Sequence, residues 1–193
     1  MASRPAVFID RDGTLTEEVG YVNHPTRLRL LPRSAEAIRR LNTAGVAAVL
    51  VTNQAGIARG YFSEDVLDAV TAELVAQLSD AGARLDGIYI CRHHPSEGEA
   101  PYRLRCECRK PQPGLLRQAA RELDLDLTRS VVVGDRPSDL ELASVVGARG
   151  VLVLTGYGLG EWEYRRDRFP VEPHHVASDV LDAVEWSLKE LVG

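Results

Sequence analysis

The chain has 193 residues, 45% of them hydrophobic and 26% charged, with a formal net charge of -5. That size and composition suit one soluble domain with a substantial core, and the acidic balance argues against a nucleic-acid partner, which needs a basic face. No apolar run reaches the roughly 20 residues of a transmembrane helix, and Met1 to Pro5 carry no signal-peptide plan, so a cytoplasmic monomer with no membrane partner is expected.

In chain order, Ala6-Val7-Phe8-Ile9 reads as a buried strand ending at Asp10. Asp10 and Asp12 are two residues apart beyond that strand, so extended backbone aims both into one space. One carboxylate there can act as nucleophile and the other as general acid and base. Gly13 allows the sharp turn that follows. Taken alone, the pair is also an ordinary Asx-rich turn. Ser34 is placed to cap a helix running to about Asn42, with Ala37, Ile38 and Leu41 on one face. Gly45 follows, and Val46 to Val51 form a second strand ending at Thr52. The Thr52 hydroxyl and the backbone of Asn53 and Gln54 can hold an oxyanion. Ser63 starts a helix to about Asp80, with Val66, Leu67, Val70, Leu74 and Leu78 at helical spacing and Gly82 just beyond.

A third strand covers Gly87 to Cys91. Cys91-Arg92-His93 and Cys106-Glu107-Cys108 then form C-x-H-x12-C-x-C, which uses all three cysteines of the chain. Each pair places both side chains on one side of extended backbone, giving three sulfurs and one nitrogen, a structural Zn2+ set. Buried cysteines beside an incidental histidine are the alternative. His94 competes as ligand, but the C-x-H spacing favours His93. The intervening loop, with Pro95, Gly98 and Pro101, has little apolar periodicity to order it, so a metal clip spanning about 91–108 makes physical sense. Arg109 and Lys110 follow at once. Lys110 is one of two lysines among 23 basic residues, so a compact charge rather than a guanidinium fork is placed here, although any single lysine is also an ordinary surface residue.

Pro113 to Leu123 is helical and Val131 to Val133 is a strand. Gly134-Asp135-Arg136-Pro137-Ser138-Asp139 comes next, with a helix over Ser138 to Val146. Asp135 can meet Asp10 across adjacent strand ends, and converging carboxylates with hard oxygen ligands need a cation such as Mg2+. Asp139 either caps the helix or supports the site. Val151 to Leu154 is a fifth strand. Gly156 to Pro173 holds a charge-rich stretch, Glu161 to Arg168, read as a surface loop or short helix. Ser178 to Leu191 is a final amphipathic helix with Val180, Leu181, Val184 and Leu188 facing inward. Alternating strands and helices predict an α/β fold, a three-layer sandwich with a central parallel sheet over residues 1–193. Ligands bind such sheets at the carboxyl ends of strands, where Asp10, Thr52, Cys91 and Asp135 fall.

The order DxDGT, strand-terminal Thr, Lys, GDxxxD resembles the haloacid dehalogenase (HAD) phosphatase superfamily over residues 6 to 155. The resemblance implies a Rossmann-like fold, with Asp10 as the nucleophile that forms an aspartyl-phosphate and Asp12 as acid and base. Thr52 and Lys110 would stabilise the phosphoryl group, and Mg2+ would be held by the Asp10 carboxylate, the Asp12 carbonyl and Asp135. The zinc loop resembles the histidinol-phosphatase-like branch, as do Gly20-Tyr21-Val22, Thr52 to Gly60 and Cys108-Arg109-Lys110-Pro111. Within that branch the family of D-glycero-D-manno-heptose 1,7-bisphosphate phosphatases matches best. It implies a small phosphorylated sugar as substrate, losing its C7 phosphate during activated heptose synthesis for surface glycans. Substrate contacts are implied at Arg11, Glu18, Val19, Gly20, Tyr21, Asn53, Gln54, Ala55, Arg109 and Arg136, with Arg109 and Arg136 on the second phosphate. Ala55 replaces a usual Ser, and Arg136 a common Lys. No insertion is long enough for a large cap domain, so an open site is expected. Histidinol-phosphate hydrolysis is the nearest rival, which the 12 residues between ligand pairs disfavour. A non-catalytic zinc module would lack Asp10, Asp12, Lys110 or Asp135, and all four are present.

Overall fold

The computed structural model describes residues 3–192. Its six strands are β1 (Ala6–Ile9), β2 (Ala47–Asn53), β3 (Gly87–Cys91), β4 (Val131–Gly134), β5 (Arg149–Val153) and β6 (His175–Ala177). They form one parallel sheet in the order β3-β2-β1-β4-β5-β6. Between them run α1 (Ser34–Ala44), α2 (Glu64–Asp80), α3 (Gly114–Leu123), α4 (Pro137–Val145) and α5 (Gly158–Arg165), with α6 (Val180–Val192) closing the described chain.

The central strands β1 and β4 are buried along their whole length. Their sequences are therefore continuous apolar runs rather than alternating ones, because helices cover both faces. Successive side chains still point to opposite sides. Val7 and Ile9 join the core under α1, α2 and α6 with Ile38, Leu41, Leu74 and Val184, while Ala6 and Phe8 join the core under α3 and α4 with Leu116, Leu142 and Ala143. The expected three-layer sandwich is the observed one.

Element ends differ from expectation in instructive ways. Ser34 does not cap α1. Its hydroxyl donates to the Leu15 carbonyl at 2.8 Å, and the residue before the helix is Arg33 in the left-handed region at φ 67°. Ser63 does cap α2, accepting the Val66 N–H. Strand β2 continues through Thr52 to Asn53, because β3 pairs with both residues. The charged stretch after Gly156 is a helix, α5, followed by a single 3-10 turn. Strand β6 was not foreseen. It is three residues long and adds to the sheet only through β5, with Val151 opposite His175.

The chain starts mid-sheet at β1, winds outward through β2 and β3, then returns to β4 and winds the other way. The switch point lies between β1 and β4, the crevice where such sheets bind ligands. Residues 10–33 leave β1 as a compact loop held by bridges between Asp12 and Thr16 and between Thr16 and Leu30. Among the described residues no large cap is inserted after β1 or β2. None of the described helices is long and apolar enough to cross a membrane.

Candidate active site and metal centres

Asp10 sits one residue past β1, and its N–H still donates to Val133 of β4 at 3.0 Å. The sheet's own hydrogen-bond ladder therefore fixes the first carboxylate. Asp135 stands just past β4, fully buried. One of its oxygens, Oδ2, accepts the Tyr157 N–H at 2.9 Å, and the other, Oδ1, is buried with no partner. Asp10, Asp135 and Asp139 each offer a carboxylate oxygen, all within 4.8 Å of one another. Burial, and then the charge of Asp10, push Asp135 up to about 8. A site that penalises its own carboxylates and leaves one oxygen unpaired has the donor chemistry of a hard divalent cation such as Mg2+.

Gly13 makes this geometry possible. Its φ is +78°, and a Cβ there would run into the Asp135 carboxylate and the Gly156 backbone. Its carbonyl in turn accepts the Thr155 hydroxyl at 2.6 Å, which ties the loop after β1 to the segment after β5.

Lys110 is buried; its ammonium donates to the Val51 carbonyl at 3.1 Å and forms ion pairs with Asp10 Oδ1 at 2.8 Å and Asp139 Oδ1 at 2.7 Å. Burial alone would lower its pKa, but the two carboxylates win and raise it, so the ammonium is permanently charged. Asn53 holds the backbone of Lys110 from both sides, accepting its N–H at 3.1 Å and donating to its carbonyl at 3.3 Å. Asp139 fills both roles considered for it. Oδ2 accepts the Arg136 N–H at the start of α4, and Oδ1 faces Lys110.

A cavity of about 370 Å³ opens above these groups, lined by Asp10, Asp12, Glu18, Tyr21, Thr52 and Lys110, and by three guanidinium groups. Those are Arg59, Arg109 and Arg136. Gly20, Asn53, Ala55, Ser138 and Asp139 complete the lining. Arg136 lies 3.8 Å above the Tyr157 ring centroid and 3.8 Å from Glu18. Glu18 has a raised pKa, chiefly from burial and against the bond from Gly20. Arg109 is braced by donation to the His93 carbonyl at 3.2 Å.

Three expected substrate contacts do not line the cavity. Val19 is exposed outside the lining, while Arg11 and Gln54 are buried, with Arg11 only 2% exposed. Both are occupied with Asp12 instead. Arg59 was missed by sequence reasoning. The signal available was an arginine following the small apolar run Gly56-Ile57-Ala58, in a loop leaving a strand that carries an active-site threonine.

The cysteine cluster lies beside this cavity. Cys108 Sγ is 3.2 Å from both Cys91 and Cys106, those two are 3.7 Å apart, and His93 Nδ1 is 3.2 Å from Cys108. The cysteines are free. A metal bonded at about 2.3 Å spaces tetrahedral sulfurs about 3.8 Å apart, which the Cys91–Cys106 separation matches and the two shorter ones would widen to meet. Burial foremost pushes the Cys91 thiol up. His94 is not part of the cluster. Its Nδ1 accepts the N–H groups of Ser96 and Glu97, so it shapes the loop. The loop also rests on its neighbour, for Gly98 packs so closely on the Ala58 carbonyl that a Cβ would not fit. Arg59 reaches across to Glu97 at 3.0 Å.

A parallel sheet with strand-end carboxylates at the switch point, a buried lysine between them and a Gly-Asp turn after β4 defines a HAD-type hydrolase. Residues 107–183 match the HAD-hydrolase-like family model. The chain is 44% identical to the D-glycero-D-manno-heptose-1,7-bisphosphate 7-phosphatase of Thermosynechococcus vestitus, covering 95% of each. It is 42% identical to the Escherichia coli D-glycero-beta-D-manno-heptose-1,7-bisphosphate 7-phosphatase, covering 80% of this chain and 81% of that one. Among solved structures, D,D-heptose 1,7-bisphosphate phosphatase from B. bronchiseptica, in complex with magnesium and phosphate, superposes with a TM-score of 0.84. It is 35% identical, covering 96% of this chain and 99% of that one. The chain therefore belongs to the D-glycero-D-manno-heptose-1,7-bisphosphate 7-phosphatase family.

Proposed function

We propose that this chain is a Mg2+-dependent phosphatase that removes the C7 phosphate of D-glycero-D-manno-heptose 1,7-bisphosphate through an aspartyl-phosphate on Asp10. The observation that carries the reading is the Asp10 carboxylate, pinned at the sheet's switch point, 2.8 Å from a buried lysine ammonium and beside the unpaired oxygen of Asp135. Asp10 attacks phosphorus, and the leaving sugar alkoxide takes a proton from Asp12. Water then gives a proton back to Asp12 as it attacks the aspartyl-phosphate, releasing phosphate and restoring Asp10. Lys110 and the Thr52 hydroxyl face the equatorial oxygens of the transferring group, where charge is spread. When bound by Asp10, the Asp12 carbonyl and Asp135, Mg2+ supplies positive charge against those same oxygens.

The second phosphate of a bisphosphate fits the three guanidinium groups around the cavity, since such forks grip phosphate oxygens bidentately. Glu18 accepts from sugar hydroxyls near Tyr21. The Cys91, His93, Cys106 and Cys108 set holds a structural Zn2+, because a fourfold protein shell leaves no position for substrate.

Phosphate release, measured side by side on heptose 1,7-bisphosphate and histidinol phosphate with Mg2+, tests the reading. We expect a clear preference for the bisphosphate. Asp10→Asn should abolish release on either substrate while the far-ultraviolet circular dichroism stays that of the parent. A preference for histidinol phosphate overturns the substrate, and a fully active Asp10→Asn overturns the chemistry.

A further inference from the structure

Arg11 has no place in the mechanism above, yet it is among the largest fully buried side chains of the protein. A buried guanidinium is retained only where its donors are matched. Here they meet the residue that carries the proton. Arg11 Nε donates to Asp12 Oδ1 at 2.9 Å and Nη2 donates to Asp12 Oδ2 at 2.8 Å, a fork-on-carboxylate pair. The same Nη2 donates to Gln54 Oε1 at 2.9 Å. The amide nitrogen of Gln54 then donates to Asp12 Oδ2 at 2.8 Å and to Thr52 Oγ1 at 2.9 Å. The amide can face only one way, since turning it over would oppose its NH2 to the guanidinium.

A carboxylate has about four lone-pair positions. Three of those on Asp12 are filled by these donors, two on Oδ2 and one on Oδ1. One position remains, on Oδ1, and the Asp12 side chain is 18% exposed where it lines the cavity. We infer that Arg11 and Gln54 are positioning residues that reserve Oδ1 of Asp12 as the single atom through which the proton passes. A proton placed there leaves every bond of the clamp intact, because the hydroxyl oxygen still accepts from Arg11 through its other lone pair. The acid form that protonates the leaving alkoxide and the base form that accepts from water therefore share one orientation, and Asp12 need not turn between half-reactions. Thr52 accepts from the same amide but is held in place by β2, where it pairs with Ile90. This inference rests on the aspartyl-phosphate reading above.

The two half-reactions separate clamp from scaffold. Nitrophenolate leaves without a proton, whereas a sugar alkoxide needs one. Arg11→Met should form phosphoenzyme from p-nitrophenyl phosphate at close to the parent rate in a rapid acid quench, detected as a phosphate adduct by mass. Breakdown of that adduct, and adduct formation from heptose 1,7-bisphosphate, should each slow by about 10²-fold or more, the range for losing a placed acid or base. KM for the bisphosphate should change little. Gln54→Met, which keeps the Arg11 fork and frees one lone pair on Oδ2, should show the same pattern more weakly and serves if Arg11→Met folds poorly. Arg11→Lys keeps the charge but not the fork and should not restore breakdown. Equal slowing of adduct formation from both substrates, in either variant, overturns the inference. An adduct that still forms in Asp10→Asn overturns the underlying reading instead.

Discussion

At the scale of single residues, what distinguishes this site is a buried cation set among carboxylates, one of which keeps an unpaired oxygen. Lys110 donates to the Val51 carbonyl and is the counter-charge to two carboxylates, Asp10 and Asp139. Replacing it with Met removes the cation but leaves Asp10 and Asp139 facing each other. We expect kcat/KM to fall by about 10²–10³, the usual effect of losing one donor aimed at an oxyanion. Breaking a buried pair from one side also costs about 3–5 kcal/mol. Urea unfolding of Lys110→Met should therefore show a lower midpoint, and added Mg2+ should recover part of it by screening the orphaned carboxylates. A variant as stable as the parent without Mg2+ would mean that Lys110 is not the counter-charge described. Arg11 illustrates the limit of reading at this scale. In the sequence, an arginine between two active-site aspartates looks like a hand on the substrate. Only the fold shows it facing inward, because nothing in DRD tells which way the middle side chain of a tight loop points.

At the scale of elements, the loop between β3 and α3 carries three tasks at once. It carries Lys110, braces Arg109 on the His93 carbonyl and lays Gly98 and Glu97 against the loop after β2. Cys106→Ser should weaken zinc retention by more than the about 10–100-fold that even an outer hydrogen-bond partner is worth. It should also lower the thermal midpoint and reduce turnover by loosening the Arg109-Lys110 segment. Metal content by elemental analysis and a thermal melt check this, and an unchanged zinc content would remove Cys106 from the ligand set. This cluster was legible in the sequence because pairs two apart on extended backbone leave little choice of geometry. The strands were legible for a similar reason: a strand buried on both faces reads as a short unbroken apolar run, and the runs of β1, β2 and β4 lead into Asp10, Thr52 and Gly134-Asp135. Strand β6 was not, since His175-Val176-Ala177 is too short and too mixed to show a period and forms only because β5 offers it an open edge. The Ser34 cap failed because a tertiary acceptor, the Leu15 carbonyl, took the hydroxyl that local geometry would have used.

At the scale of the whole molecule, the sheet is a shared wall between two cores, and β1 contributes to both. Phe8 is fully buried at the centre of the α3 and α4 side. Phe8→Ala should destabilise the protein by about 3–5 kcal/mol through lost burial and the cavity left behind. A urea midpoint that barely moves would show that the layer relaxes around the gap. Because Asp10 hangs from the end of the same strand, a loosened core should also widen the spread of distances to Asp135.

The switch point of the sheet carries a practical consequence for redesign. In the proposed mechanism the attacking oxygen is anchored by strand pairing, whereas the cavity wall offered to the rest of a substrate comes from loop residues near 18–21, 55–59, 109 and 136. The scaffold thus separates what breaks the bond from what chooses the molecule. Libraries aimed at new phosphate esters should vary those loops, keep Arg11, Gln54 and Gly13 untouched, and retain Arg59 with Glu97 as a linked pair, since exchanging one alone would unfasten two loops together.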